Sequence, residues 1–339
     1  MEFSKILKKV ISGNDLLESE SYDLITQMLE GELSDGQIGA FLAALAAKGE
    51  SVGEITGGAR AMRKAAVRIQ SLANDTLDTV GTGGDGGKTF NISTTVSFVA
   101  AGAGAIVAKH GNRASSGISG AADCLEQLGF NLQVEPEIME EAVNEIGICF
   151  LFAPSFHRAM RHCAPVRRQM GVRTIFNMLG PLTNPAGATR QLIGVYAPEL
   201  TETFAQVAKE LGAKRVIAVH GHDGMDEITM TTITRCTELN NGVIKTYDID
   251  PLNYFDELCA PADLQGGDAT LNAQITRQIL TGELQGAKRD IVLINSAASL
   301  LSCGIVDSLE EGIKKSTESI DSGAALDKLE QLIDYSQQG

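Results

Sequence analysis

Apolar positions in the first part of the chain recur at helical spacing. Ile38, Phe41, Leu42 and Leu45 fall three and four residues apart, which puts them on one face of a helix. Ser34 with Gln37 and Ser51 with Glu54 read as capping boxes, in which paired side chains satisfy first-turn N–H groups, and Gly49 stands where a helix-ending glycine belongs. The pattern predicts a small all-helical domain over residues 1–72. From residue 73 short apolar runs alternate with helical periodicity. Leu77 to Val80, Ala105 to Ala108, Cys149 to Phe152, Leu192 to Tyr196 and Arg215 to Val219 are predicted strands, with helices such as Pro136 to Ile146 and Leu200 to Leu211 between them. Such alternation predicts an α/β domain over 73–339 with a mostly parallel sheet covered by helices on both faces. An arginine-rich, helical and loop-rich insertion is expected to send part of 155–187 back onto the helical domain. Asn240-Asn-Gly242, midway through Thr232 to Ile249, predicts a hairpin, and the tail from Ser308 reads as helical and acidic.

Charge changes the picture more than overall composition does. The 339 residues carry 28 Lys and Arg against 43 Asp and Glu, a net charge of −15 that opposes non-specific binding to nucleic acid or anionic membrane. An anionic ligand must therefore be held by local cations, a metal or backbone N–H groups. No run reaches the length of a membrane span, and Lys5, Lys8 and Lys9 interrupt the apolar positions of the N-terminus where a signal peptide needs an apolar block. A cytoplasmic location is expected. The six Cys stand far apart with no CxxC, which suggests reduced structural thiols and neither a zinc site nor a disulfide framework.

Four polar segments follow predicted strands. Gly81-Thr-Gly-Gly84-Asp85-Gly-Gly has the backbone freedom to cradle a phosphate with consecutive N–H groups, or to serve only as a flexible turn. It lacks the Lys-Ser/Thr of a Walker loop and the spacing of a dinucleotide fingerprint. Asn91-Ile92-Ser93-Thr94 opens a helix, either as plain caps or as hydroxyl ligands at a positive helix end. Lys109 to Gly117 concentrates two cations, an amide and hydroxyls in a loop after the strand. Asp223-Gly-Met-Asp226-Glu227 offers adjacent hard oxygen ligands suited to Mg2+, against the alternative of a solvated turn; the nearby His220 and His222 lack a third soft ligand. Arg167 and Arg168, followed by Arg173, are surface cations or partners of an anion. Together these segments point to an enzyme that handles a phosphorylated, and by this reading diphosphorylated, substrate with Mg2+. No triad or Cys/His pairing supports covalent catalysis.

Gly81-Thr-Gly-Gly-Asp85, Asn91-Ile-Ser-Thr94, Lys109-His-Gly-Asn-Arg113, Arg173-Thr-Ile-Phe-Asn177 with Leu179-Gly-Pro-Leu-Thr-Asn-Pro185, and Asp223-Gly-Met-Asp-Glu227 occur in one order across most of the chain. In this the sequence closely resembles the anthranilate phosphoribosyltransferases. The resemblance implies Mg2+-dependent transfer of the phosphoribosyl group of 5-phosphoribosyl 1-diphosphate to anthranilate, giving N-(5-phosphoribosyl)anthranilate and diphosphate, in tryptophan biosynthesis. It implies a homodimer through the helical domains and a substrate cleft between domains. Carried over by position, Gly81, Gly84, Asp85, Thr89, Asn91, Ile92, Ser93 and Thr94 would hold the donor's phosphates and ribose. Lys109, His110, Gly111, Asn112, Arg113, Ala114, Ser115, Ser116 and Gly117, with Ala121, would complete that site. Gly81, Asn112 and Arg167 would meet anthranilate, Arg167 pairing with its carboxylate. Ser93, Asp226 and Glu227 would bind two Mg2+ ions per subunit. No general base is assigned, and His110 is a candidate positioning group. Relatives commonly read Ser-Ser-Lys-Ser-Gly-Ser where this chain has Ser116-Gly-Ile118-Ser-Gly-Ala121, so a lysine and a hydroxyl are lost near the phosphates. The alternatives are a pyrimidine nucleoside phosphorylase, similar in fold, and a non-catalytic nucleic-acid-binding relative, which the net charge and the Asp226-Glu227 pair oppose.

Overall fold

The computed structural model describes residues 2–73, 75–83, 89–114 and 118–338. Four helices come first: α1 (Phe3–Ile11), α2 (Glu18–Glu30), α3 (Asp35–Lys48) and α4 (Val52–Ala65). Both expected capping boxes are formed, at the starts of α3 and α4. Glu54 goes further than its own cap. Buried completely, it also accepts the Leu16 N–H at 2.9 Å and pairs with Lys48 at 2.9 Å, tying three helices' ends together.

The rest is an α/β unit. Its elements are β1 (Leu77–Gly81), α5 (Ile92–Gly102), β2 (Val107–Gly111), α6 (Ala121–Leu128), α7 (Pro136–Glu145) and β3 (Ile148–Phe152). Short helices α8 (Ala153–Phe156), α9 (Ala164–Met170) and α10 (Ile175–Leu179) precede β4 (Arg190–Gly194), α11 (Leu200–Glu210) and β5 (Arg215–Gly221). The hairpin β6 (Thr234–Asn240) and β7 (Val243–Ile249) is followed by α12 (Ala269–Leu280), α13 (Ala287–Cys303), α14 (Leu309–Asp321) and α15 (Ala324–Ser336). The seven strands form one sheet in the order β3-β2-β1-β4-β5-β6-β7, parallel from β3 to β5 and antiparallel across the last two pairings. The hairpin turns on Asn241 and Gly242, both at positive φ (48° and 83°), the two-residue turn whose twist suits antiparallel strands.

Strand alternation sorts the core into two bodies. Leu192 of β4 and Ile217 and Val219 of β5 face a large cluster with α5, α13, α14 and α15. Their neighbours Ile193, Val216 and Ala218 face a second cluster with α11, α1 to α4, and Cys163, Val166, Ile175 and Leu179 of the segment after β3. The N-terminal helices thus share their core with one face of the sheet. All six Cys are free thiols; Cys124, Cys149, Cys163 and Cys236 are buried, the first three in α6, β3 and the residue before α9, the last in β6. No helix among the described residues is long and apolar enough to cross a membrane.

Candidate active site at the carboxyl ends of the strands

The chain lays β2 and β3 to one side of β1, then crosses to lay β4 and β5 on the other. Open α/β sheets bind ligands at such a switch point, beyond the carboxyl ends of the strands. Asp226 stands over it. The Gly83 N–H donates to its Oδ2 at 3.0 Å. A Cβ on Gly81 would lie 2.6 Å from that oxygen, and one on Gly194 only 1.6 Å from the Asp226 carbonyl oxygen, so β1 and β4 must both end in glycine for this residue to descend onto them. The loop that carries it is pinned from two sides. Asp223 accepts bonds from the Met225 N–H (3.0 Å) and the Thr229 and Thr231 hydroxyls (2.7 and 2.5 Å). Buried Asn295 of α13 pairs with both the N–H and the carbonyl of Ile228, at 2.9 and 2.8 Å. Asp223 therefore shapes the loop, and Asp226 and Glu227 are what it presents.

Beside them α5 begins. Ile92 and Thr94 are buried and Ser93 is half-buried, and the first-turn N–H groups of α5 make this the positive end of the helix. The Thr94 hydroxyl has no partner among the described residues. Asn91 precedes α5 but its side chain makes no cap bond. It accepts from Ser119 Oγ and Asn272 Nδ2, each at 3.0 Å, and so ties the helix start to the loop before α6 and to α12. Thr89 forms an isolated bridge with Gln265.

The third polar segment differs from expectation. β2 starts two residues later and ends three residues later than the apolar run suggested, so Lys109 and His110 lie in the strand and are buried, 3% and 5% exposed. Their side chains leave opposite faces of the sheet. Lys109 Nζ donates to Thr79 O at 2.6 Å and to Ser93 Oγ at 3.3 Å. Burial lowers its pKa, and the carboxylates of Asp78 and Glu227 pull the other way. The His110 ring lies 5.0 Å from that of His157, which is also buried; Nε2 of each is unpartnered among the described residues. Burial holds both rings neutral, with pKa values pushed down to about 3 and about 4. Gly111 ends the strand against Ala121, whose Cβ would stand 3.1 Å from a Cβ on Gly111. The Asn112 carbonyl accepts the Ala122 N–H at 3.2 Å. Arg113 is committed elsewhere: its guanidinium pairs with Asp123 and Glu126, both at 2.8 Å, and the Ala114 N–H donates to Asp123 at 2.9 Å. Gly84, Asp85, Ser115, Ser116 and Gly117 lie outside the described residues.

Arg167 sits on α9, half-buried, with its guanidinium 5.2 Å from the centre of the Phe176 ring. No carboxylate lies within ion-pair distance of it among the described residues, and burial lowers its pKa. A sheltered cation without a counter-charge is suited to an incoming anion. Arg173 instead stacks on Tyr196, 4.2 Å from the ring centre. His157 escaped the sequence reading because nothing in Ser155-Phe-His157-Arg marks it out; only the fold brings it to His110. Among the described residues no three His, Cys, Asp or Glu side chains form a ready metal cage. Two carboxylates and a hydroxyl fit a hard cation that draws its remaining ligands from substrate and water.

The helical bundle domain of a glycosyl transferase family matches residues 4–66, and the α/β domain of that family matches 73–326. The anthranilate phosphoribosyltransferase of Desulfosudis oleivorans is 53% identical over 333 residues, covering 98% of each chain. The chain belongs to the anthranilate phosphoribosyltransferase family. The crystal structure of the anthranilate phosphoribosyltransferase from Thermus thermophilus superposes with a TM-score of 0.92 at 42% identity, covering 98% of this chain and 99% of that one. The anthranilate phosphoribosyltransferase from Saccharomyces cerevisiae in complex with PRPP and Mg has a TM-score of 0.91 at 28% identity, covering 99% and 98%. The likeness to anthranilate phosphoribosyltransferases therefore spans the helical unit and the α/β unit together.

Proposed function

We propose that this chain transfers the 5-phosphoribosyl group of 5-phosphoribosyl 1-diphosphate to anthranilate, releasing diphosphate, in tryptophan biosynthesis. The observation that carries this reading is Asp226, seated on two glycine-ended strands, next in the chain to Glu227, whose charge acts on the Lys109 that reaches Ser93 Oγ at the start of α5. Asp226, Glu227 and Ser93 would hold Mg2+, two ions per subunit by likeness to the family. Bound there, Mg2+ supplies positive charge to the diphosphate as it leaves. Lys109, the N–H groups at the start of α5 and the segment Gly81 to Gly83 add fixed donors where that negative charge grows, and such preorganised donors lower the barrier without reorganising. Gly84 and Asp85, together with Ser115 to Gly117, belong to the same donor site by their place in the motifs.

Arg167 receives the anthranilate carboxylate, with Gly81 and Asn112 alongside. The aniline nitrogen is uncharged at neutral pH, so no base has to act before it attacks ribose C1. Holding amine and diphosphate on opposite sides of that carbon is the chain's remaining task, and it predicts inversion there. Neutral His110 serves to position. A homodimer through the helical domains and a cytoplasmic location complete the proposal, and light scattering of the purified chain tests the former.

The direct test is loss of anthranilate fluorescence with 5-phosphoribosyl 1-diphosphate, with and without Mg2+, alongside diphosphate release. Mg2+-dependent loss with one diphosphate per anthranilate is expected. Phosphorolysis of uridine or thymidine without that loss would make the chain a nucleoside phosphorylase instead.

A further inference from the structure

β1 follows β4 residue for residue, from Leu77 opposite Arg190 to Gly81 opposite Gly194. Toward β2 its register is carried by one pair, Leu77 and Val107. Past that pair, side chains take over the backbone groups between the two strands. Asp78 Oδ1 accepts the His110 N–H at 3.0 Å. Asn184 Nδ2 donates both to Asp78 Oδ2 and to the Ala108 carbonyl, each at 2.7 Å. Lys109 Nζ closes the set on the Thr79 carbonyl at 2.6 Å, then reaches Ser93 Oγ. Asp78 is fully buried, and Asn184 and Lys109 are each 3% exposed.

A continuous ladder of parallel strands with aliphatic side chains would hold the middle of a sheet at least as well, since buried charges seldom gain stability over well-packed apolar groups. What this wedge achieves is placement. It holds an ammonium at a fixed height between a buried carboxylate and the start of α5, where the charge of Glu227 also acts on it.

We propose that Asp78 and Asn184 are positioning residues for the phosphoribosyl donor site, acting on it through Lys109. The inference rests on the reading of this site as a phosphoribosyltransferase centre. Asp78→Asn removes the counter-charge and sets an amide donor or a weakened acceptor against Asn184, whose own oxygen is already held by the Ala186 N–H at 2.9 Å. Lys109 keeps its bonds to Thr79 O and Ser93 Oγ but loses its buried counter-charge and the anchoring of the backbone on either side of it, the His110 N–H and the Ala108 carbonyl, while the other substrate-contacting groups stay in place.

A double-mutant cycle with Asp78→Asn and Lys109→Met reads this directly. Asp78→Asn should raise the donor KM by roughly tenfold or more, the order expected for a displaced charge-assisted bond, and leave the anthranilate KM within about twofold. In the Lys109→Met background it should add less than about threefold. A multiplicative loss in the double variant, or equal rises in both KM values, overturns the proposal, because a merely structural role acts on every variant alike. If Asp78→Asn does not fold, judged by its melting transition, Asn184→Ser enters the same cycle. Binding of inorganic diphosphate with Mg2+, measured calorimetrically on the same variants, separates the two claims. Wild type silent in transfer but showing Lys109-dependent diphosphate binding that Asp78→Asn abolishes would fail the functional reading and keep this one. Diphosphate binding unchanged by Asp78→Asn would overturn it whatever the activity.

Discussion

His110 and His157 are folded as neutral rings with pKa values near 3 and 4, whereas an unfolded histidine titrates near 6.5. The unfolded chain therefore binds more protons than the folded one below about pH 6.5, and stability must fall as pH drops toward the folded values. By pH 5 the loss is roughly 2 kcal/mol for each ring. His157→Gln should flatten the decline: between pH 7.5 and 5 its melting temperature should drop several degrees less than that of wild type. Arg167 makes the opposite kind of prediction, touching binding alone. Arg167→Ala should raise the anthranilate KM by about ten- to a hundredfold with the donor KM little changed, because a charge-assisted partner is lost at one substrate only. Asp226 could be singled out because it sits in a motif, Asp223-Gly-Met-Asp-Glu227, whereas Arg167 lies outside the motifs and was given its role only through the resemblance. Arg113 was only half legible, since its charge is spent on Asp123 and Glu126 of the next helix, which spacing alone does not announce.

The strands show where local pattern runs out. β5 and the hairpin begin and end close to the apolar runs and the Asn-Gly turn that predict them. β2 does not, because Lys109 and His110 read as a polar loop; inside the sheet their groups are met by Thr79, Ser93 and Asp78, with Asn184 holding Asp78, and Asp78 and Asn184 lie 31 and 75 residues from Lys109 along the chain. No window over β2 contains that compensation. The loop after β5 is more transparent in sequence than in mechanics: Asp223-Gly-Met-Asp-Glu227 is visible, but its clamp, Asn295, sits in the middle of an unremarkable apolar helix. Asn295→Leu should leave that loop unpinned and lower kcat by about tenfold or more, with a stability loss of roughly 1–3 kcal/mol from the unsatisfied Ile228 groups, readable in urea melts. Gly194→Ala is the stricter test of the switch point. Its Cβ would collide with the backbone of Asp226, so activity should fall at least a hundredfold, as expected when catalytic groups are displaced by an ångström.

Because the N-terminal helices share a core with α11 and one face of β4 and β5, neither unit buries its apolar surface alone. Arg63 reinforces the union, donating from α4 to the Leu182 carbonyl at 2.7 Å. Calorimetry should show one cooperative transition, with calorimetric and van't Hoff enthalpies agreeing, and not two resolved peaks. The two-unit plan was readable from the change of periodicity near residue 73. The shared core was not, since it depends on which face of each strand meets which helix. The free thiols give this architecture a built-in stopwatch. Cys163 lies in the core shared by the helices, while Cys124, Cys149 and Cys236 lie in the other, and burial drives every one of these pKa values upward. In the folded chain such sulfurs are poor nucleophiles as well as sheltered ones. The order in which an alkylating reagent marks them, read by peptide mass, is therefore a chronology of which half of the protein breathes first.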